Sequence, residues 1–176
     1  SIPGEKELME AIIAYLKRDN IHIQPENIMI TTSGQHGLDL VARLFLDLKD
    51  TVVIDLPTFG GALAAFELEA AQYIVREIEE DGSDVKGMGE GIEALLSRGK
   101  KPKFIYVVPD FQNPSGITMS LEKRLALLSL SKKYGIPLVE DSPYRELRYR
   151  GKKLPSIYSL DKNQGNVIGV YTFSKI

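Results

Sequence analysis

Two apolar rhythms alternate along this chain, and few folds accommodate that alternation. "ELMEAIIAYLKRD" carries Leu8, Ile12, Ile13 and Leu16 three and four apart, which predicts a helix because that spacing lines one helical face. "GLDLVARLFLDL" does the same with Leu38, Val41, Leu44, Phe45 and Leu48. "GALAAFELEA", "GIEALLSRG" and "SLEKRLALLSLSKKYGIP" complete the helical set, the last with Ser120 as candidate N-cap and Gly135 and Pro137 as stop signals. Between them lie six short β-rich runs, "NIMITT", "TVVIDLP", "QYIVREI", "KFIYVVP", "PLVE" and "NVIGVY". Strands alternating with helices imply βαβ units, so the expected fold is α/β: a mostly parallel sheet between two helical layers, a three-layer αβα sandwich. The unbroken apolar runs "VVID", "FIYVV" and "VIGV" suit strands covered on both faces.

Composition narrows the function classes. The 176 residues suffice for one sizeable core, and no Pro/Gly/Ser linker divides them. A net charge of −2 gives no footing for nucleic acid or an anionic membrane as main partner. With no cysteine and only His22 and His36, neither thiolate chemistry nor a histidine-rich metal site is expected. No stretch is apolar enough to span a bilayer, and the N-terminus lacks the form of a signal peptide, so a cytoplasmic protein is expected.

In an open parallel sheet, ligands bind beyond the carboxyl ends of the strands. The segments that follow the strands are "TTSGQHG", "LPTFGG", "PDFQNPSG", "DSPY" and "TFSK". All should lie on one rim, and their chemistry converges. Ser33, Gly34 and Gln35 open a helix whose free N–H groups suit a phosphate, and Thr172 and Ser174 add hydroxyls. Phe59 can stack on a flat ring, and Asp141 can hold a proton on a ring nitrogen. Asn113 and Tyr144 can hydrogen-bond a phenolic oxygen, and the Lys175 amine can condense with an aldehyde. Phosphate, flat ring, basic nitrogen, phenol oxygen and aldehyde together describe pyridoxal 5′-phosphate.

The ordered set "FQNPSG", "VEDSPYREL" and "YTFSKI" resembles the class I aminotransferases of fold type I over essentially the whole chain, closest to the branch acting on 2-aminoadipate, aromatic amino acids and kynurenine. The resemblance implies the major domain of the pyridoxal-phosphate transferase fold. It implies that Lys175 carries the cofactor, Asp141 pairs with the pyridine nitrogen, and Tyr144 and Asn113 contact the phenolic oxygen. It places Phe59 on the ring and Ser33, Gly34, Gln35, Thr172 and Ser174 around the phosphate. It further implies an amino acid and a 2-oxo acid as substrates and a homodimer. Residues 1–176 then correspond to a cofactor-binding large domain without the N-terminal arm and small domain. In the family an additional strand separates the segments matching Ile28–Thr32 and Val167–Tyr171, so these two should not pair. The tyrosine and two arginines that the family uses on the phosphate and on the substrate carboxylate match nothing within these residues.

The same resemblance extends to transcription regulators that carry an aminotransferase-like sensor domain. Those tend to vary at the asparagine of "FQNPSG", and Asn113 favours the enzyme. Other motifs read more plainly. "GMGEG" (87–91) lacks the strand and spacing of a phosphate loop and reads as a surface loop. "EEDG" (79–82) and the two "RGKK" copies read as solvated turns, and His36 as a capping or surface residue as readily as a site residue.

Overall fold

The computed structural model describes residues 3–162 and 165–175; Ile176, the end of the "YTFSKI" motif, lies outside them. In chain order the elements are α1 (Lys6–Leu16), α2 (Gly34–Phe45), β1 (Thr51–Leu56), α3 (Gly60–Glu67), β2 (Gln72–Glu79), β3 (Gly82–Ser83), α4 (Val85–Leu96), β4 (Phe104–Val107), α5 (Leu121–Tyr134), β5 (Leu138–Ser142), α6 (Ile157–Asp161) and β6 (Val167–Tyr171). The sheet order is β3-β2-β1-β4-β5-β6. All pairings are parallel except the β2–β3 hairpin. Because β1 lies between β2 and β4, the winding direction reverses between β1 and β4, where such sheets open a crevice at their carboxyl ends.

Strand residues alternate cleanly between two cores. Val52, Ile54, Phe104, Tyr106, Val139 and Val170 pack with Leu38, Val41 and Ala42 of α2 and Ala62, Ala65 and Phe66 of α3. Val53, Ile105, Val107, Leu138 and Val167 face the other way, onto Met88 and Ile92 of α4, Leu127 and Leu128 of α5 and Ile157 of α6. Both sheet faces are therefore covered, which is why the strands read as continuous apolar runs. Helix α5 begins with the Ser120 side chain accepting from Lys123 N and ends on Gly135 at φ 59°, as its sequence signals predict.

Three expectations are corrected. Residues 28–32 are not a strand of the sheet. Ile28 is extended, and Ile30 N donates to Pro3 O at 2.8 Å, but no ladder joins this segment to β6. A groove of about 700 Å³ lies between them, lined by Ile28, Ile30, Thr32, Val167, Gly169 and Tyr171 among others. A β-rich run becomes a strand only when a neighbour takes its backbone groups in a ladder, and among the described residues this run has the single bond to Pro3 and no ladder. The expected separation from Val167–Tyr171 is found.

The glycines of "GMGEG" lie inside α4, not in a loop. Asp84 caps that helix by accepting from Gly87 N at 2.8 Å. A Cβ at Gly87 would meet Arg76 at 2.8 Å and one at Gly91 would meet Ile74 at 2.5 Å, so the helix needs glycine to lie against β2. "EEDG" is a turn as expected, but it turns into β3, an edge strand too short to show in sequence. In α2 the helix stops at Phe45, and Leu44 and Leu48, expected on its apolar face, are 78% and 71% exposed.

Candidate active site

The candidate site residues lie at the carboxyl ends of β1, β4, β5 and β6 and at the start of α2. Asp141 is the next-to-last residue of the buried run of β5 and is itself buried. Its Oδ2 accepts a hydrogen bond of 2.8 Å from the Tyr106 hydroxyl. Among the described residues no other hydrogen bond or ion pair reaches this carboxylate. Burial pushes its pKa up to about 6, opposed by the Tyr106 bond. An acid held this way, with no cation of its own, favours a positively charged partner arriving from outside.

Asn113 Nδ2 donates to the Tyr144 hydroxyl at 3.0 Å, bringing together the loops after β4 and β5. Two chain segments remote in sequence hold this pair through one buried ionic cluster. Asp110 is fully buried and accepts from Arg124 (2.9 Å), Arg145 (3.2 Å) and Arg148 (3.1 Å). Arg145 follows Tyr144 directly and also pairs with Asp19 at 3.2 Å, while Arg148 lies over the Phe111 ring at 4.7 Å. Asp110 stands three residues before Asn113, so the cluster fixes both ends of the Asn113–Tyr144 contact. The neighbouring Glu140, fully buried, is raised by desolvation. It accepts from Ile157 N (2.9 Å) and Tyr158 N (2.8 Å), anchoring α6 beneath the sheet.

At the start of α2, Ser33 Oγ accepts from His36 N at 3.1 Å. The His36 ring Nδ1 lies 3.1 Å from Thr32 Oγ1, so the histidine belongs to the cap. A Cβ on Gly34 would lie 3.9 Å from Thr172 and from Val170, so the helix start and the exit of β6 are neighbours. Thr172 Oγ1 and Ser174 Oγ are 2.9 Å apart in the turn after β6. Gln35 Nε2 donates to Gly61 O at 2.7 Å, and a Cβ at Gly61 would collide with both Phe59 and Gln35. Phe59 and Tyr144 pack on the same core face, the one that also carries Tyr106. Lys175 is exposed on the turn after β6, and among the described residues it makes no hydrogen bond or ion pair.

The donor set fits pyridoxal 5′-phosphate. A buried carboxylate without a cation suits a protonated ring nitrogen, the Asn113–Tyr144 pair suits a phenolic oxygen, and the α2 start with the Thr172 and Ser174 hydroxyls suits a phosphate. Sequence reading missed Tyr106 and the Asp110 cluster. The signal for Tyr106 was slight: one hydroxyl inside an apolar strand, which has to find a partner once buried.

A doubly wound sheet with this polar rim defines a ligand-binding α/β domain, and comparison with known proteins gives the family. The profile described as "Aminotransferase class I and II" matches residues 1–176, and the chain belongs to that family. It is 39% identical over 160 residues to aromatic-amino-acid aminotransferase 1 of Thermococcus litoralis, covering 91% of this chain and 38% of the relative. The crystal structure of Pyrococcus horikoshii kynurenine aminotransferase, in complex with PMP, KYN and KYA, superposes with a TM-score of 0.94 at 43% identity, over 100% of this chain and 43% of that one. That of α-aminoadipate aminotransferase from Thermus thermophilus, complexed with N-(5′-phosphopyridoxyl)-L-leucine, gives 0.86 at 34% identity, over 99% and 43%. The chain thus spans about two-fifths of the length of these relatives. A regulator also matches: the probable rhizopine catabolism regulatory protein MocR of Rhizobium meliloti, 30% identical over 175 residues, 99% of this chain and 34% of the regulator.

Proposed function

We propose that residues 1–176 form the cofactor-binding large domain of a pyridoxal-phosphate-dependent aminotransferase that moves an amino group between an amino acid and a 2-oxo acid. Aromatic, 2-aminoadipate or broad specificity is expected. The observation that carries this reading is Asp141: a buried carboxylate beside the Asn113–Tyr144 pair, with one hydroxyl donor and no cation.

Bound there, the cofactor supplies an electron sink for the carbanion left when the substrate loses its α-proton. The chain's own residues do the rest. Asp141 keeps a proton on the ring nitrogen, and Asn113 and Tyr144 orient the ring through its phenolic oxygen. Phe59 covers a ring face. Ser33, Gly34, Gln35, Thr172 and Ser174 hold the phosphate. Lys175 would attach the cofactor and, once the substrate's amine has displaced it and while it is neutral, would carry the proton from the substrate's α-carbon to the cofactor's C4′ carbon.

The groove between residues 28–32 and β6 supports a further part of the proposal, namely that a strand from outside these 176 residues lies there. Unpaired backbone groups along such a groove cost about 1–3 kcal/mol each when they are dry. The 176-residue chain alone should therefore be marginally stable and inactive. Separately, membership of the aminotransferase family supports a homodimer acting in the cytoplasm. The test is amino-group transfer by the full-length protein. Addition of an amino acid should shift the bound cofactor's absorbance and release the matching 2-oxo acid, and Lys175→Ala should release no 2-oxo acid. The match to MocR supports a second reading, a sensor domain that binds the cofactor without turnover. Cofactor binding with no oxo-acid release from any amino acid tested would favour it.

A further inference from the structure

Tyr106 is the largest fully buried aromatic side chain among the described residues, and among them its hydroxyl has a single hydrogen-bond partner. On β4 it stands opposite Val139 of β5. Asp141 is two residues further along β5 and so points to the same face, within diagonal reach of a long side chain. The Tyr106 ring is fully buried and held edge-on by Phe66 at 5.5 Å between centroids. Burial and the adjacent Asp141 push its hydroxyl far above the ordinary tyrosine range, so it stays protonated and can only donate in this contact. The charged and titratable groups around the pair are Tyr144 beyond β5 and Asp55 on β1, and neither is a cation.

We propose that Tyr106 is a positioning residue for Asp141: by donating to Oδ2 it fixes the carboxylate's rotation and leaves Oδ1 as the acceptor for the cofactor's ring N–H. This rests on the reading of Asp141 given above and adds a residue that does not itself touch the cofactor. The hydrogen bond favours the ionised carboxylate, which a ring-nitrogen partner requires, against the burial that disfavours it. Nature of the donor matters here. A cation in place of the tyrosine would satisfy the carboxylate's charge and weaken its hold on a protonated ring; a neutral hydroxyl orients it without competing for that charge.

The test uses the full-length protein and Tyr106→Phe, which removes one oxygen and keeps the ring. In the cofactor-free protein, the Asp141 carboxyl, assigned by its loss in Asp141→Asn and followed by carbon-13 NMR, should titrate about one pH unit higher in Tyr106→Phe. Cofactor affinity should fall about tenfold at neutral pH, and kcat should fall while KM for the amino acid changes little. A titration and an affinity within twofold of wild type would overturn the proposal. Should Tyr106→Phe fold poorly, the wild type suffices: the Tyr106 hydroxyl proton should exchange slowly and shift as Asp141 titrates, and a resonance indifferent to that titration would overturn the proposal equally. Asp141→Asn separates the two layers. If it binds cofactor like wild type, the reading of Asp141 fails and this proposal with it. If it is impaired while Tyr106→Phe is normal in every readout, only the role of Tyr106 fails.

Discussion

Asp110 and Asp141 are both buried aspartates at the carboxyl end of the sheet, and they are treated in opposite ways. Asp110 is enclosed by three guanidinium groups, at 2.9, 3.2 and 3.1 Å. Asp141 has one tyrosine hydroxyl at 2.8 Å. The first is a closed knot that ties the β4 and β5 exits to α5. The second is held in an acidic, underpaired state that only a cation from elsewhere completes. The contrast is between a carboxylate that fastens the fold with its own counter-charges and one that has none, and the latter is where we propose the cofactor's ring nitrogen binds.

The largest test of the contrast is to make the same substitution at both positions. Asp110→Asn should cost about 3–5 kcal/mol in urea unfolding, because it leaves buried guanidiniums without their partner. Asp141→Asn in the cofactor-free protein should do the reverse and stabilise it at pH 8 by about 1–3 kcal/mol, since it removes a buried charge that lacks a counter-ion. Loss of stability at both positions would break the comparison.

The pH dependence sharpens it. The Asp141 pKa is raised by burial to about 6 from a model-compound value of 3.8. The folded state therefore holds the extra proton between those values. The stability this confers is complete below the unfolded pKa and is lost as pH rises through about 6. The gain from Asp141→Asn should accordingly fade as pH is lowered towards 4. Asp55 is a third case. It is buried on the opposite face of the sheet, one oxygen accepts from Ser83 Oγ at 2.9 Å, the other has no hydrogen-bond partner, and burial raises it to about 6 as well. Asp55→Asn should give a gain of about 1–2 kcal/mol at pH 8 with the same pH profile, but should leave cofactor binding unchanged.

The smallest expected effect is that of Tyr144→Phe, which removes the 3.0 Å bond from Asn113. It should lower stability by only about 0.5–1.5 kcal/mol. Its larger consequence should be a shifted absorbance of the bound cofactor, because the phenolic oxygen loses a donor.

What could be read in the sequence was what short-range chemistry carries. The alternation of rhythms gave the layers, Ser120 and Gly135 the ends of α5, and the polar strand mouths the rim. What could not be read depends on register and on contacts distant along the chain. Tyr106 sits in "FIYVV" like any apolar strand residue, and only its alignment with Val139 brings it to Asp141. Residues 28–32 have strand composition but no neighbour. The glycines of "GMGEG" suggest a loop until Arg76 and Ile74 are seen lying against them. Asp110, Arg124 and Arg145 meet across loops whose closure no local pattern announces.

The central claim is that Lys175, on the turn after β6, attaches the cofactor that Asp141 holds at its far end. Borohydride reduction of the full-length protein loaded with pyridoxal 5′-phosphate, followed by peptide mass mapping, tests it most directly. The account predicts one pyridoxyl-modified peptide, containing Lys175, and none in Lys175→Ala. Stoichiometric modification of a different lysine in the wild type would contradict it.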